Sequence, residues 1–97
     1  MKKFDSKPEI IRETEITYKG IVYKYMLTMN KSKKVASFMM PLYSIKVEMN
    51  DNGKLCESEI KDVFCDIGKA IVFYEMLIEN HASPYDLHYI LEDKILI

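Results

Sequence analysis

IIRETEITYKGIVYKYMLTM, residues 10–29, decides the fold of this chain. Two segments rich in β-branched and aromatic residues, 10–18 and 21–29, flank the dipeptide Lys19-Gly20. Two connecting residues with glycine second are typical of a tight antiparallel hairpin, because glycine adopts positive φ at no steric cost. The sequence therefore predicts two paired strands joined at Lys19-Gly20.

The register of this hairpin follows from its turn. Closing the strands directly at the turn sets Ile16 opposite Tyr23 on one face and Glu15 opposite Lys24 on the other. Cross-strand contacts favour both an apolar pair and an opposite-charge pair. The face of the second strand that is predicted to contact the core carries Ile21, Tyr23, Tyr25, Leu27 and Met29.

A second hairpin is predicted around NDNG, residues 50–53, a strong turn signal. The segment before it, 42–49, alternates apolar and polar residues, and a return strand is predicted over about 54–61. Closing the turn at its last two residues sets Ile45 opposite Ile60, again an apolar pair.

Two helices are predicted after the second hairpin. Near Asp66, the predicted N-cap, the spacing of apolar residues changes from the strand period to the helical one. The residues predicted to pack on the core are Ile67, Ala70, Ile71, Tyr74, Leu77 and Ile78. After a break at 80–82, Ser83, Pro84 and Asp86 form the start signal of a second helix.

The predicted fold class is α+β: an antiparallel sheet of about four strands in two hairpins, followed by a C-terminal helix-turn-helix hairpin packed on one face. All of 1–97 is expected to be a single domain, with the polar residues 1–9 frayed. A hydrophobic content of 48% in 97 residues is enough for one core.

A cytoplasmic protein is expected. The first twenty residues hold no apolar run of seven or more, and no stretch approaches the apolar length that spans a membrane. Cys56 and Cys65 are nine positions apart and fit no CxxC pattern, so they are predicted to be reduced, buried thiols.

The charge is distributed unevenly along the chain. Residues 1–47 hold ten Lys and Arg against four Asp and Glu, whereas 48–97 hold four against eleven. This polarity suits polyanion binding or head-to-tail association if the halves separate, and averages out if they intermix. A candidate polyanion patch at Lys31, Lys33 and Lys34 supports an alternative function, that of a small nucleic-acid-binding accessory protein, although short loops with several lysines are usually solvated connectors.

The closing segment SPYDLHYILEDKILI, residues 83–97, has the outline of a DNA-reading helix after a short turn. Its outer face carries Tyr85, Asp86, His88, Tyr89, Glu92 and Asp93, with no arginine. Recognition helices depend on lysine and arginine to neutralise phosphates, so this face indicates a helix that docks on protein.

No catalytic, cofactor-binding or metal site is predicted. His81 and His88 lie seven residues apart, and no histidine or cysteine pair has a metal-ligand spacing. Cys65 and Ser83 are potential nucleophiles, but nothing in the sequence places a histidine and an acid beside either. The chain is therefore expected not to be an enzyme.

The first helix is apolar on two sides. Val72, Phe73 and Met76 lie opposite the predicted core stripe, so this helix either sits between two layers or exposes an apolar patch. Tyr85 and Tyr89 on the second helix suit protein contacts. The predicted protein interface comprises Phe73, Met76, Tyr85 and Tyr89. The leading hypothesis is thus a non-enzymatic protein that acts through protein–protein contacts, with homodimerisation through the C-terminal helices as one form.

Four segments, YKYMLTM, YSIKVEM, LCESEIKDVFCD and SPYDLHYILEDKI, resemble in this order a family of short uncharacterised proteins of clostridia-like Firmicutes, a domain of unknown function. The resemblance covers about residues 15–95. The chain departs from the family pattern at Ser44, where glycine is usual, and in a longer connection over 30–41. The resemblance implies a shared fold and a bacterial cytoplasmic setting, and it assigns no catalytic residues.

Overall fold

The computed structural model describes residues 8–30, 34–35, 38–39 and 41–95, and the side chains of 8–30 and 41–92. The strands are β1 (Glu9–Tyr18), β2 (Ile21–Asn30), β3 (Lys34–Val35), β4 (Phe38–Met39), β5 (Leu42–Asp51) and β6 (Lys54–Phe64), and the helices are α1 (Ile67–Glu79) and α2 (Leu87–Ile95).

The main sheet has four antiparallel strands in the order β1-β2-β5-β6, and β3 pairs with β4 in a separate two-residue ladder. Helix α1 packs on β2, β5 and β6, and α2 packs on β6. The predicted α+β fold is confirmed. Within the connection 30–41, Val35 belongs to β3 and Phe38–Met39 form β4.

Both predicted hairpin registers are confirmed. Ile16 lies opposite Tyr23, and Ile45 lies opposite Ile60. In the first turn Lys19 and Gly20 have φ of 53° and 79°, and Asn52 and Gly53 in the second have φ of 55° and 87°. Positive φ at both turn residues matches the twist of the flanking strands, which is why glycine occupies the second position of each turn.

Strand β6 runs three residues beyond the predicted end because it contains an irregularity. Tyr43 pairs with Phe64 and Ile45 with Ile60, so three residues of β6 face Ser44 alone. Asp62, the middle one, has φ of 53°, and its backbone N–H donates to the Ser44 hydroxyl at 2.8 Å. The irregularity breaks the alternation of apolar and polar residues, so the sequence pattern did not predict the last three residues of the strand.

Helix α1 begins and ends with defined caps. The Asp66 carboxylate accepts from the Gly68 backbone N–H at 2.8 Å, which confirms the predicted N-cap. At the other end His81, with φ of 50°, donates its N–H to the Ile78 carbonyl, and Ala82 donates to the Leu77 carbonyl. These two bonds form a Schellman motif, which turns the chain towards α2.

The start signal of the second helix forms, but regular helix begins later. The Asp86 carboxylate accepts from both the N–H and the hydroxyl of Ser83, at 3.0 and 3.1 Å, and the Ser83 hydroxyl accepts from the Tyr85 N–H at 3.2 Å. Residues 84–86 form a turn that these bonds close, and α2 begins at Leu87.

The core lies between the sheet and the two helices. Its buried apolar side chains are Tyr23, Tyr25, Leu27, Tyr43, Ile45, Val47, Ile60, Phe64, Ala70, Phe73, Tyr74, Leu77, Ala82 and Leu87. The predicted core face of β2 is therefore confirmed, with Ile21 and Met29 half-buried at its ends. The predicted core stripe of α1 was partly wrong: Ile67 is 42% exposed, whereas Phe73 is 3% exposed.

Of the residues that were expected to be frayed, 1–7 lie outside the described part of the chain. Glu9 already belongs to β1 and pairs with Met29, so the ordered sheet begins there.

Candidate protein-docking groove

A groove of about 660 Å³ lies between the end of β6 and the outer side of α1. We call it the β6–α1 groove. Nine residues line it: Val63, Phe64, Cys65, Asp66, Gly68, Lys69, Val72, Phe73 and Met76. Only Asp66 and Lys69 among them are charged, so the groove suits apolar groups better than a charged ligand.

Two buried phenylalanines form the floor of the groove. The rings of Phe64 and Phe73 lie 5.4 Å apart at a tilt of 48°, and both side chains are at most 5% exposed. Phe73 was predicted to lie opposite the core stripe. This placement was wrong, because the side chain of Phe73 packs on Phe64 of the sheet and is buried there. Phe73 therefore supports the groove from below.

The walls expose apolar surface to solvent. Val72 is 68% exposed in the middle of α1, and Met76, one turn further on, is half-buried. Ile67, at the start of the same helix, is a second exposed apolar side chain of α1, outside the lining of the groove. An apolar strip beside an apolar groove is typical of a surface that binds another molecule.

A second groove of about 530 Å³ lies between α1 and α2. Met76, Asp86, Tyr89 and Ile90 are among its lining residues. Because Met76 lines both grooves, they meet at this side chain, and together they follow α1 along most of its length.

The structure brings together only part of the predicted interface. Met76 and Tyr89 line the second groove, and Tyr89 is 76% exposed. Tyr85, 68% exposed, lines neither groove: its hydroxyl contacts the Cys56 thiol on β6, and this hydrogen bond raises the pKa of Tyr85. Whether these residues bind a protein stays a prediction.

Buried tyrosines hold the helices on the sheet. The Tyr25 hydroxyl donates to the Ala82 carbonyl in the turn between the helices at 2.8 Å, and Tyr74 of α1 donates to the Tyr25 carbonyl at 3.3 Å. The Tyr74 hydroxyl also lies 2.7 Å from that of Thr14 on β1. Burial raises the pKa of Tyr25 and of Tyr74, so both remain neutral hydrogen-bonding groups.

The residues with catalytic or metal-binding potential are dispersed. Among the described residues, no group of three or more His, Cys, Asp or Glu is arranged to hold a metal ion. His81 stacks on Tyr18 with ring centroids 3.9 Å apart, and His88 is exposed on α2. Both cysteines are free, but neither is buried as predicted: Cys56 is half-buried on the edge strand β6, and Cys65, which follows the last residue of β6, is exposed. That the chain is not an enzyme stays a prediction.

The predicted polyanion patch falls largely outside the described residues. Lys31 and Lys33 are outside them, and Lys34 is described only as the first backbone position of β3. Elsewhere the two oppositely charged halves intermix. Arg12 pairs with Glu75 at 3.6 Å, and Lys46 pairs with two carboxylates of the second half.

Sequence reasoning missed the contribution of β6 to the groove. Val63, Phe64 and Cys65 are consecutive apolar residues just after the predicted end of the strand. An apolar run directly before a helix cap was the available signal, since such a run needs a buried or ligand-covered environment. The presence of Lys69 in the groove lining could have been predicted from its position one helical turn before Val72 and Phe73.

Fold and groove together define a small α+β domain with an apolar groove beside its first helix. The chain belongs to a family of unknown function, DUF6514, whose model matches residues 3–96. This finding confirms the resemblance to a domain of unknown function. No curated protein and no solved structure matches the chain. Within the described ranges, no helix has the length and apolarity needed to cross a membrane.

Proposed function

We propose that this protein acts without catalysis, by binding another protein in the β6–α1 groove. The observation that carries the proposal is the exposed apolar wall at Val72, 68% exposed, above a floor of buried aromatic rings. Covering an exposed aliphatic side chain and the groove beneath it removes apolar area from water, which contributes about 25 cal/mol per Å².

The surroundings of the groove indicate the chemistry of the partner. Asp66 lines the groove, Asp86 lines the adjoining groove, and Glu79 and Glu92 are exposed on α1 and α2. Lys69 is the cation of the lining. We infer a partner segment with apolar side chains that enter the groove and lysine or arginine on either side of them.

The same acidic surroundings disfavour a second copy of this chain as the occupant. A two-fold symmetric interface brings a surface against itself, so the carboxylates of Asp86, Glu79 and Glu92 on one copy would face a surface that carries the same carboxylates. Like charges brought together in this way oppose association. A homodimer through the C-terminal helices is therefore an outcome of the test and not our proposal.

The cytoplasm is the compartment that we propose. Cys56 and Cys65 are both free, although Cys65 is exposed to whatever redox buffer surrounds the protein. Exposed free thiols are usual in reducing compartments, where disulfides are rare.

A pair of matched variants tests the docking surface. Val72→Glu places a carboxylate on the apolar wall, whereas Leu55→Glu makes a similar change at a side chain that is 62% exposed on the other face of the sheet. The probe is an amphipathic helical peptide with leucines along one face and lysines along the other. We expect Val72→Glu to weaken binding about tenfold, because a carboxylate must be desolvated, and Leu55→Glu to leave it unchanged.

Fluorescence anisotropy measures the affinity, and methyl NMR shifts of Val72 and Met76 locate the peptide. Equal affinities for both variants, or shifts confined to other parts of the molecule, would contradict the proposal. Light scattering at micromolar concentration is run on the same samples. A dimer that Val72→Glu dissociates would assign the groove to a second copy and overturn the proposed partner.

A further inference from the structure

We propose that the free edge of β1 is a second binding element: it accepts an extended segment of a partner protein that carries lysine or arginine at alternate positions. The segment would pair antiparallel to β1 and lengthen the main sheet by one strand. This inference does not depend on the β6–α1 groove, which lies at the opposite side of the sheet.

The two edges of the main sheet differ. Strand order makes β1 and β6 the edge strands. β6 is interrupted at Asp62, where φ is 53°, and α2 packs on it. Irregularities and covering helices are two of the ways in which proteins prevent strand addition. β1 has an unbroken register from Arg12 to Tyr18, and no strand of the described part pairs with its outer side.

The register also identifies which backbone groups point outward. A two-residue turn closes on a hydrogen-bonded pair, here Tyr18 and Ile21. Because hydrogen-bonded and non-hydrogen-bonded pairs alternate, Thr14 and Ile16 point their N–H and C=O groups towards β2. Glu13, Glu15 and Thr17 then point theirs away from the sheet, towards the position of an added strand.

The side chains of these outward residues determine the charge of the segment. Thr14 and Ile16 lie opposite the buried Tyr25 and Tyr23, so Glu13, Glu15 and Thr17 project from the face without helices. An added strand would place its own residues directly opposite Glu13 and Glu15 on that face. Lysine or arginine there gives favourable cross-strand pairs, and the ion pair of Glu13 with Lys24, at 3.1 Å, leaves Glu15 as the main acidic contact.

The same carboxylates disfavour pairing of β1 with a second copy. If two copies pair through β1 about a two-fold axis normal to the sheet, their helical faces lie on the same side of the combined sheet. Only registers that set odd-numbered residues of one copy opposite odd-numbered residues of the other are then allowed. The three registers centred on Glu13, Thr14 or Glu15 each set one carboxylate of this pair directly opposite another. Like charges in that position are destabilising, whereas a basic segment meets no such cost.

Contacts with α1 hold β1 in its extended conformation. Arg12 pairs with Glu75 at 3.6 Å, and the Thr14 hydroxyl lies 2.7 Å from that of Tyr74. Both contacts lie on the helical face and leave the outer backbone groups accessible. An edge that is already extended loses little conformational entropy when a segment pairs with it.

A proline substitution tests the edge directly. Glu15→Pro removes an outward N–H while β1 keeps its bonds to β2, and Glu15→Ala is the matched control that keeps the N–H. The probe is a synthetic peptide of alternating lysine and valine, compared with one of alternating glutamate and valine. We expect the full chain to bind the lysine peptide, Glu15→Pro to bind it at least about tenfold more weakly than Glu15→Ala, and the glutamate peptide not to bind.

Amide hydrogen exchange locates the contact. In the free chain the amides of Glu13, Glu15 and Thr17 should exchange fast and those of Thr14 and Ile16 slowly, and the lysine peptide should slow only the first group. If circular dichroism shows that Glu15→Pro is unfolded, Glu15→Lys takes its place, with a several-fold loss expected. Equal binding by Glu15→Ala and the test variant, or outward amides that are protected in the free chain as its concentration rises, would overturn the proposal; the latter result would assign the edge to a second copy.

Discussion

Tyr25 shows at the scale of one residue how the sheet and the helices are joined. Alternation along β2 predicts that its side chain faces the core, and it is fully buried. A buried hydroxyl needs a partner, and the one it has is the Ala82 carbonyl, which lies 57 positions away in the chain. No local pattern identifies such a partner, so the sequence predicted the burial of Tyr25 but not its bond.

Tyr25→Phe tests this bond. We expect the free energy of unfolding to fall by about 1–2 kcal/mol, because the ring still packs but the buried Ala82 carbonyl loses its donor. Urea denaturation followed by circular dichroism measures the change. Tyr89→Phe is the control: its side chain is 76% exposed, and its stability should equal that of the wild type. Equal stability of all three proteins would show that water replaces the phenol.

Helix α1 shows at the scale of an element what a sequence pattern can and cannot determine. Its start is encoded locally, by the Asp66 carboxylate that accepts from the Gly68 N–H. The end of the helix is less evident from the sequence, since His81 adopts positive φ at the position after the C-cap, where glycine is the usual residue. His81 gains a stacking contact with Tyr18, which sequence spacing did not suggest.

Asp66→Ala tests the start of the helix. We expect a loss of about 1 kcal/mol in stability, because a first-turn N–H loses its acceptor. Asp66→Asn should lose much less, since asparagine is also a good N-cap. Thermal and urea unfolding of the three proteins measure the difference. If alanine and asparagine are equivalent, water caps the helix and the hydrogen bond of Asp66 is not stabilising.

At the scale of the whole molecule, we expect the stability of the folded protein to decrease as the pH rises into the alkaline range. Burial raises the pKa of Tyr25 and Tyr74 in the folded protein above the ordinary value near 10. Below that pH both phenols are neutral in either state, and their contribution to stability is complete. Above it the unfolded chain loses protons that the folded protein retains, so stability falls as pH rises towards the folded pKa values.

We expect each buried tyrosine to contribute a slope of up to about 1.4 kcal/mol per pH unit above pH 10. Urea denaturation between pH 8 and 11 measures the slope. Lys24, whose pKa is raised by its hydrogen bond to Glu13, acts in the same direction, so Tyr25→Phe is needed to separate the phenol from the amines. A slope that this variant leaves unchanged would contradict the assignment to Tyr25.

The sequence by itself determined both hairpin registers and both helix start signals. These depend on residues that are close along the chain or face each other across a short turn, such as Ile16 and Tyr23 or Ser83 and Asp86. Tertiary structure alone decided how far burial extends around α1. Helical periodicity correctly predicted the burial of Ala70, Tyr74 and Leu77, whereas the burial of Phe73 depends on the sheet, where the ring of Phe64 packs on it. That packing leaves Val72 exposed above the groove, so the candidate site exists only because the sheet and the helix meet in this orientation.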